Sequence, residues 1–176
     1  NIYGGGCQTN VNGLKFEQET SLKQALLECG YEVKNNKVYY NSNPFALLAG
    51  KNLLYTSILE KKGIDYRNII SKKLLPDDAL LNSLNKTIYI LEKKFQNTAG
   101  SVDEKLQTCG FKKQQYSRLF NPIGIEVEYY YILNDWFTKP QYKDVLKYIN
   151  ECGCYYFFNE IPLEMMKLPH LFEEIG

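Results

Sequence analysis

The segment 86–96 constrains the fold of this chain more than any other, because it is apolar on both faces. Side chains alternate between the two faces of a strand, so one face carries Ile88 and Ile90 and the other carries Tyr89 and Leu91. A strand that is apolar on both sides is typical of the centre of a sheet that is covered on both faces. The sequence therefore predicts a layered domain built around this strand.

The apolar pattern of this strand stops at Glu92, and the same face continues with Lys94 and Gln96. A surface strand would be polar along one whole face, whereas here the charges begin only where the buried part of the strand ends. We expect a cleft at this point. A plain surface ion pair between Glu92 and Lys94 is the alternative that has no chemical role.

Patterns in the rest of the chain predict strands and helices that alternate. Strands are predicted at 31–41 (a hairpin turning at Asn35-Asn36), 77–82 and 86–96 (joined by a tight loop), 124–133 and 154–159. Helices are predicted at 14–29, 44–62, 101–120, 140–151 and 162–167, the third of them begun by a capping box of Ser101 and Glu104. The alternation predicts an α/β fold in which helices flank a central mixed β-sheet.

Length and composition set limits on the kind of protein. The 176 residues suffice for one domain, 1–176, with its own core. Because residue 1 is Asn rather than Met, a fragment of a longer chain stays open as an alternative. The charges nearly cancel, with 21 Lys and Arg against 20 Asp and Glu, so net charge neither indicates nor excludes a nucleic-acid partner. The single histidine, His170, excludes sites built on several imidazoles.

Cysteine usage and hydropathy bear on where the protein works. The five cysteines are scattered and odd in number, which argues against a disulfide framework and favours buried thiols in a reducing compartment. No run of about 18 apolar residues occurs, so no membrane-spanning helix is expected. The sequence therefore predicts a cytoplasmic protein that does not enter a membrane.

Two carboxylates are expected to meet where the strand 86–96 ends. If residues 77–82 pair with it through the loop 83–86, residue 82 lies opposite 87 and Asp77 lies opposite Glu92. Opposed Cβ atoms are about 4.5–5.5 Å apart, and carboxylates that close repel each other unless they share a divalent cation. A loop one residue shorter or longer would bring Asp78 to that face instead, so the turn alone leaves both aspartates open.

These residues match a known signature. Pro76-Asp77 followed by Glu92-Lys93-Lys94 resembles the PD-(D/E)xK signature of metal-dependent nucleases. Further segments that are similar to type II restriction endonucleases lie at 12–17, 92–96, 100–106 and 156–164. In the family pattern the metal-binding aspartate directly follows the proline, which favours Asp77. The resemblance implies a restriction-endonuclease-like core.

The resemblance also implies an activity: site-specific, Mg²⁺-dependent hydrolysis of double-stranded DNA, as part of a restriction–modification system. Asp77 and Glu92 would hold the magnesium ion, which screens the phosphate charge and lowers the pKa of water. Lys94 would hold the attacking water and offset charge in the transition state. Glu17 would bind a second metal or orient a water, and Gln96 would fix Lys94 or contact the phosphate. The alternatives are an exposed helix acid at Glu17 and a structural side chain at Gln96.

Contacts to DNA are predicted on the helix 101–120. Basic and amide side chains cluster there and could touch phosphates: Lys112, Lys113, Gln115 and Arg118. By resemblance, the protein is expected to form a homodimer whose two sites meet a palindrome. The alternatives are a structure-selective nuclease for DNA repair or phage defence on the same core, and a non-catalytic relative that binds DNA.

Overall fold

The computed structural model describes residues 12–170. Its strands are β1 (Gly13–Lys15), β2 (Glu32–Lys34), β3 (Lys37–Tyr40), β4 (Asn43–Leu48), β5 (Asp78–Asn82), β6 (Thr87–Lys94), β7 (Glu126–Leu133), β8 (Tyr155–Phe158) and β9 (Glu160–Pro162). Strands β2 to β8 form one seven-stranded sheet in chain order, and β1 pairs with β9 in a separate two-stranded sheet.

Helices connect and cover these strands. The α-helices of residues 12–170 are α1 (Leu22–Glu28), α2 (Val102–Lys105), α3 (Cys109–Phe120) and α4 (Lys143–Glu151). A π-helix spans Leu54–Leu59, and 3-10 turns lie at Glu60–Lys62, Tyr66–Asn68, Leu106–Thr108, Asn121–Ile123, Asp135–Thr138, Pro140–Tyr142 and Leu163–Met166. None of the helices described is long and apolar enough to cross a membrane.

The large sheet is mixed. Strands β2 to β6 pair antiparallel to their neighbours, whereas β6, β7 and β8 run parallel. Parallel neighbours need a crossover, which α2 and α3 supply between β6 and β7 and α4 supplies between β7 and β8. The predicted α/β class with a central mixed sheet flanked by helices is confirmed.

Strand β6 is buried on both faces, as its sequence predicts. Ile88 and Ile90 belong to a hydrophobic core that also contains residues of α3 and β7. Tyr89 and Leu91 belong to a second core, which contains residues of α1 and of the β1–β9 sheet. The last residues of β6 therefore extend from a strand that is held firmly on both sides.

Two predicted hairpins are confirmed. Residues 32–40 form the β2–β3 hairpin, and Asn35 and Asn36 take φ angles of 50° and 65° at its turn. Left-handed backbone at both central residues is what a two-residue hairpin turn requires. Strands β5 and β6 form the second hairpin. Three of the described cysteines are buried: Cys29, Cys109 and Cys154.

Two predicted helices are wrong at their beginnings. Residues 13–15 form β1, which pairs with β9, and the helix begins only at Leu22, where the Ser21 hydroxyl accepts a hydrogen bond from the Gln24 N–H. Residues 43–48 form β4 between β3 and β5, so helical structure in the segment 44–62 is confined to its last turns. In both segments, pairing with strands distant in sequence overrides local periodicity.

The predicted capping box at Ser101 is also wrong. Ser101 has helical backbone angles, φ −71° and ψ −7°, and its side chain makes no capping hydrogen bond. A capping serine needs extended backbone to aim its hydroxyl at the first free N–H groups. The helix predicted at 101–120 is instead divided into α2, a 3-10 turn and α3.

Candidate active site

Polar side chains collect at one edge of the large sheet. Strands β6, β7 and β8 are parallel, so their carboxyl ends share this edge, and the antiparallel strand β5 begins there. The residues at these strand ends include Asp77, Glu92, Asn134 and Asn159. The carboxyl ends of parallel strands are where open α/β sheets commonly bind their ligands. This edge is the candidate active site.

The two predicted carboxylates are brought together here. Strands β5 and β6 pair from Asp78 opposite Leu91 to Asn82 opposite Thr87, and the next position in the same register places Asp77 opposite Glu92. Asp77 also accepts a hydrogen bond from the Lys93 N–H through its Oδ2, at 3.3 Å. The loop length assumed in the sequence analysis is therefore confirmed.

Asp78 lies on the other face of the sheet. Its Oδ2 accepts a hydrogen bond from the Leu22 N–H at 3.3 Å, at the first turn of α1. Burial raises the pKa of Asp78 to about 6, against the lowering effect of that hydrogen bond. Since neighbouring residues of a strand point to opposite faces, the register assigns Asp77 to the Glu92 face and Asp78 to the α1 face.

Glu92 is a buried carboxyl group beside a second acid. The residue is only 6% exposed. The pKa of Glu92 is raised from the ordinary 4.5 to about 8, mainly by burial. The negative charge of Asp77 and a hydrogen bond with Asp77 add to the rise, whereas the ammonium groups of Lys94 and Lys112 oppose it. A strongly shifted acid at a strand end is a mark of functional sites.

Lys94 stands next to Glu92 on the same face. Its Nζ is 3.8 Å from Glu92 Oε2, and its side chain is 20% exposed. The distance is too long for a strong hydrogen bond, so the lysine is near the acid pair without being locked to it. Because Glu92 is buried, the pair differs from an ordinary surface ion pair.

Gln96 is held at the carboxyl end of the sheet by Asn134, a residue that was not predicted from the sequence. Asn134, just after β7, accepts a hydrogen bond from the Gln96 N–H at 3.1 Å and donates one to the Gln96 carbonyl at 2.7 Å. The Gln96 side chain donates through Nε2 to the Thr98 carbonyl. Its Oε1 is buried and has no partner in the part of the chain that is described. Gln96 thus offers one free acceptor.

Glu17 is not brought to the acid pair. It is exposed, and its carbonyl, with that of Thr20, accepts hydrogen bonds from Lys93 Nζ at 2.9 and 2.6 Å. Lys93 projects from the face of β6 opposite to Glu92. Because residues 13–15 form β1 instead of a helix, the early segment lies over that opposite face, so the predicted metal role of Glu17 lacks geometric support.

The predicted DNA contacts on α3 have different environments. Lys113 Nζ donates to the Gly153 carbonyl at 2.6 Å. Gln115 is 7% exposed, and its Oε1 accepts a hydrogen bond from the exposed Arg118 at 3.2 Å. The burial of Gln115 and the hydrogen bond at its Oε1 argue against the predicted phosphate contact of this residue. Lys112 is half-buried and lies near Glu92.

Gly50 lies close against the backbone of Asp77, a contact that no pattern in the sequence indicates. A Cβ added at Gly50 would lie 3.0 Å from the Asp77 carbonyl oxygen and 3.1 Å from the Asp78 Cα. The next residue, Lys51, donates its N–H to the Pro76 carbonyl at 2.8 Å. The chain after β4 therefore packs directly against the backbone that carries Asp77.

The donor set fits a hard divalent cation. Asp77 and Glu92 present carboxylate oxygens on one face, the negative charge of Asp77 raises the pKa of Glu92, and the repulsion in such a pair is relieved when a cation is shared. Mg²⁺ prefers oxygen ligands and is often bound through one or two carboxylates, with waters completing its shell. No group of three acidic, histidine or cysteine side chains within residues 12–170 could hold a metal ion. A cation bound by Asp77 and Glu92 would therefore have few protein ligands.

Comparison with known proteins adds no family assignment. No protein-family model matches the chain, and a search of the curated proteins finds no match. The geometry of the strand ends is therefore the main support for a function.

Proposed function

We propose that this protein is a type II restriction endonuclease of the PD-(D/E)xK superfamily, with a restriction-endonuclease-like core. It would hydrolyse phosphodiester bonds of double-stranded DNA at a specific short sequence, with Mg²⁺ as cofactor. The observation that carries the proposal is that Asp77, Glu92 and Lys94 share one face at the carboxyl end of β6. These three residue types occur in the order that the nuclease signature requires.

Each residue has a distinct task in this proposal. Asp77 and Glu92 would hold Mg²⁺, which when bound screens the phosphate charge and makes water a better nucleophile. Lys94, beside Glu92 but not locked to it, would donate to the attacking water or to a phosphate oxygen. The free Oε1 of Gln96 would accept a hydrogen bond from a water or from Lys94.

The proposal extends to the assembly and its setting. A palindromic target presents two equivalent strands, so the proposed enzyme is a homodimer in which each 20.5 kDa protomer cuts one strand. The proposed setting is the cytoplasm, alongside a partner modification activity. Lys112, Lys113 and Arg118 on α3 remain the proposed DNA contacts.

The first experiment is digestion of a long DNA of known sequence with Mg²⁺ or with EDTA. The wild type should give discrete fragments with Mg²⁺ only. Glu92→Gln should cut at least about 10²-fold more slowly, because it loses a charged metal ligand. The matched control is Glu126→Gln, an exposed glutamate at the opposite end of the sheet, paired with Thr87; it should cut like the wild type.

Three results would contradict the proposal. Normal cutting by Glu92→Gln would remove Glu92 from the mechanism. Fragments with scattered ends would indicate a structure-selective nuclease instead of a restriction enzyme. No Mg²⁺-dependent cutting of any DNA would favour a non-catalytic DNA-binding relative.

A further inference from the structure

Lys112 lies on the side of α3 that packs against the sheet. Tyr116, four residues later and so on the same side of the helix, is 1% exposed, and its ring centroid is 6.4 Å from that of Tyr129 in β7. The parallel register places Tyr129 beside Ile90, two residues before Glu92. The stripe of α3 that contains Lys112 and Tyr116 therefore covers the same face of the sheet that carries Glu92.

The beginning of α3 is also at the correct end of the sheet. The hydroxyl of Tyr131, near the end of β7, donates to the Lys105 carbonyl in α2 at 3.2 Å. Tyr131 is paired with Glu92 in the parallel register. Since Lys112 belongs to the first turn of α3, it lies near the carboxyl edge of the sheet and not near its far end.

Lys112 is the second positive charge that Glu92 experiences, after Lys94. It is half-buried, and among residues 12–170 it makes no hydrogen bond and no ion pair. Its neighbour Lys113, in contrast, is bonded to the Gly153 carbonyl. A partly desolvated ammonium group has a stronger field than one in bulk water, and this one is near the acid pair with its donors unused.

We propose that Lys112 is a second catalytic cation, which contacts a non-bridging oxygen of the scissile phosphate. This inference rests on the proposed function. Water would add to phosphorus, the P–O3′ bond would break, and the products would carry a 5′-phosphate and a 3′-hydroxyl. Lys112 forms no bond to phosphorus; its charge offsets the negative charge that grows on the phosphate oxygens, from the side opposite to the strand that carries Lys94.

A purely structural role would give different behaviour. If Lys112 only balanced the charge of Asp77 and Glu92, its removal would change the stability of the protein and its affinity for Mg²⁺ but not the rate of cutting at saturation. A cation that acts on the phosphate repels Mg²⁺ slightly. Its removal should therefore leave Mg²⁺ affinity unchanged or higher while the chemical step slows.

The test compares Lys112→Met with Lys23→Met, which changes an exposed lysine of α1 on the opposite face of the sheet. Single-turnover cleavage is measured with saturating enzyme on a duplex containing the target, Mg²⁺ binding is measured by calorimetry without DNA, and folding is checked by thermal melting. Lys112→Met should cut about 10²–10³-fold more slowly with Mg²⁺ affinity equal or higher. Lys23→Met should cut within about threefold of the wild type.

A conservative variant guards against a packing effect. Lys112→Arg keeps the charge and should recover most of the rate that Lys112→Met loses. Equal rates for Lys112→Met and the wild type would overturn the inference, and so would a rate loss matched by an equal loss of Mg²⁺ affinity. If the wild type shows no Mg²⁺-dependent cutting, the proposed function itself fails, and the role of Lys112 falls with it.

Discussion

Two pairs of identical neighbours, Asp77-Asp78 and Lys93-Lys94, are divided between the two faces of the sheet. Asp78 and Lys93 bind backbone groups of residues 17–22 and hold that segment on one side. Asp77 and Lys94 lie with Glu92 on the other side. The same residue type therefore has a structural task at one position and a proposed chemical task at the next, because strand geometry alternates.

The raised pKa of Glu92 predicts how stability depends on pH without metal. The folded protein keeps a proton on Glu92 up to about pH 8, whereas the unfolded chain releases it near pH 4.5. Between these pH values the unfolded state binds fewer protons than the folded state. The contribution of protonated Glu92 to the free energy of unfolding is therefore complete below pH 4.5 and is lost as pH rises through 8.

Thermal melting in EDTA checks this prediction. Between pH 6.5 and 8.5 the wild type should lose more stability than Glu92→Gln, at roughly 2–4 °C in Tm per kcal/mol. Both proteins keep Asp78, whose pKa is about 6, so its titration does not affect the difference. Adding Mg²⁺ should raise the Tm of the wild type more at pH 8 than at pH 6.5, because the ion binds the ionised pair. Parallel Tm curves for the two proteins would show that Glu92 does not titrate in this range.

At the scale of elements, sequence patterns correctly predicted the strands and turns that depend on residues close together in the chain. The double-sided apolar run identified β6, the two asparagines identified the β2–β3 turn, and the loop 83–86 joined β5 to β6 as a hairpin. These features depend on residues that are near in sequence, so Glu92 and Lys94 could be placed beside Asp77 or Asp78 before the fold was known, and the resemblance favoured Asp77.

Other elements could not be predicted because distant segments decide them. Residues 13–15 become a strand only because β9, almost at the other end of the described chain, pairs with them. The link from Asn134 to Gln96 requires β7 beside β6. Lys112 was predicted as a phosphate contact, but its position near Glu92 was not predicted, because the sequence does not show which side of α3 packs on the sheet.

The close approach after β4 gives a prediction for Gly50. Gly50→Ala forces the backbone of Asp77 to move by a few tenths of an ångström, since the added Cβ would lie 3.0 Å from the Asp77 carbonyl oxygen. Misplacement of a catalytic group by about 1 Å can cost about 10²-fold in rate, so a roughly threefold to tenfold loss of kcat is expected. The measurement is steady-state cleavage of the target duplex.

Gly100→Ala is the matched control for Gly50→Ala. A Cβ at Gly100 would meet only the Gln96 Nε2, at 3.6 Å, which is an ordinary contact. This variant should keep the wild-type kcat. Equal activity of Gly50→Ala and Gly100→Ala would show that the segment after β4 does not position Asp77.

At the scale of the whole molecule, the candidate site lies where the sheet changes from antiparallel to parallel pairing. Strand β5 begins at the edge where β6, β7 and β8 end. Residues of the antiparallel β5–β6 pair and residues that follow the parallel strands therefore meet there. Two hydrophobic cores cover the faces of β6, and α3 carries Lys112 to the same edge. A rigid strand that carries its reactive side chains only at its end keeps those side chains in fixed positions.

The most direct measurement of the central claim is the location of a divalent ion. Crystals soaked in Mn²⁺, which takes the same oxygen ligands as Mg²⁺, should show an anomalous peak between Asp77 and Glu92, with carboxylate oxygens at about 2.1 Å. Crystals of Glu92→Gln should lose or weaken that peak. An ordered wild-type site without a peak between Asp77 and Glu92, or with Mn²⁺ bound only elsewhere, would contradict the account.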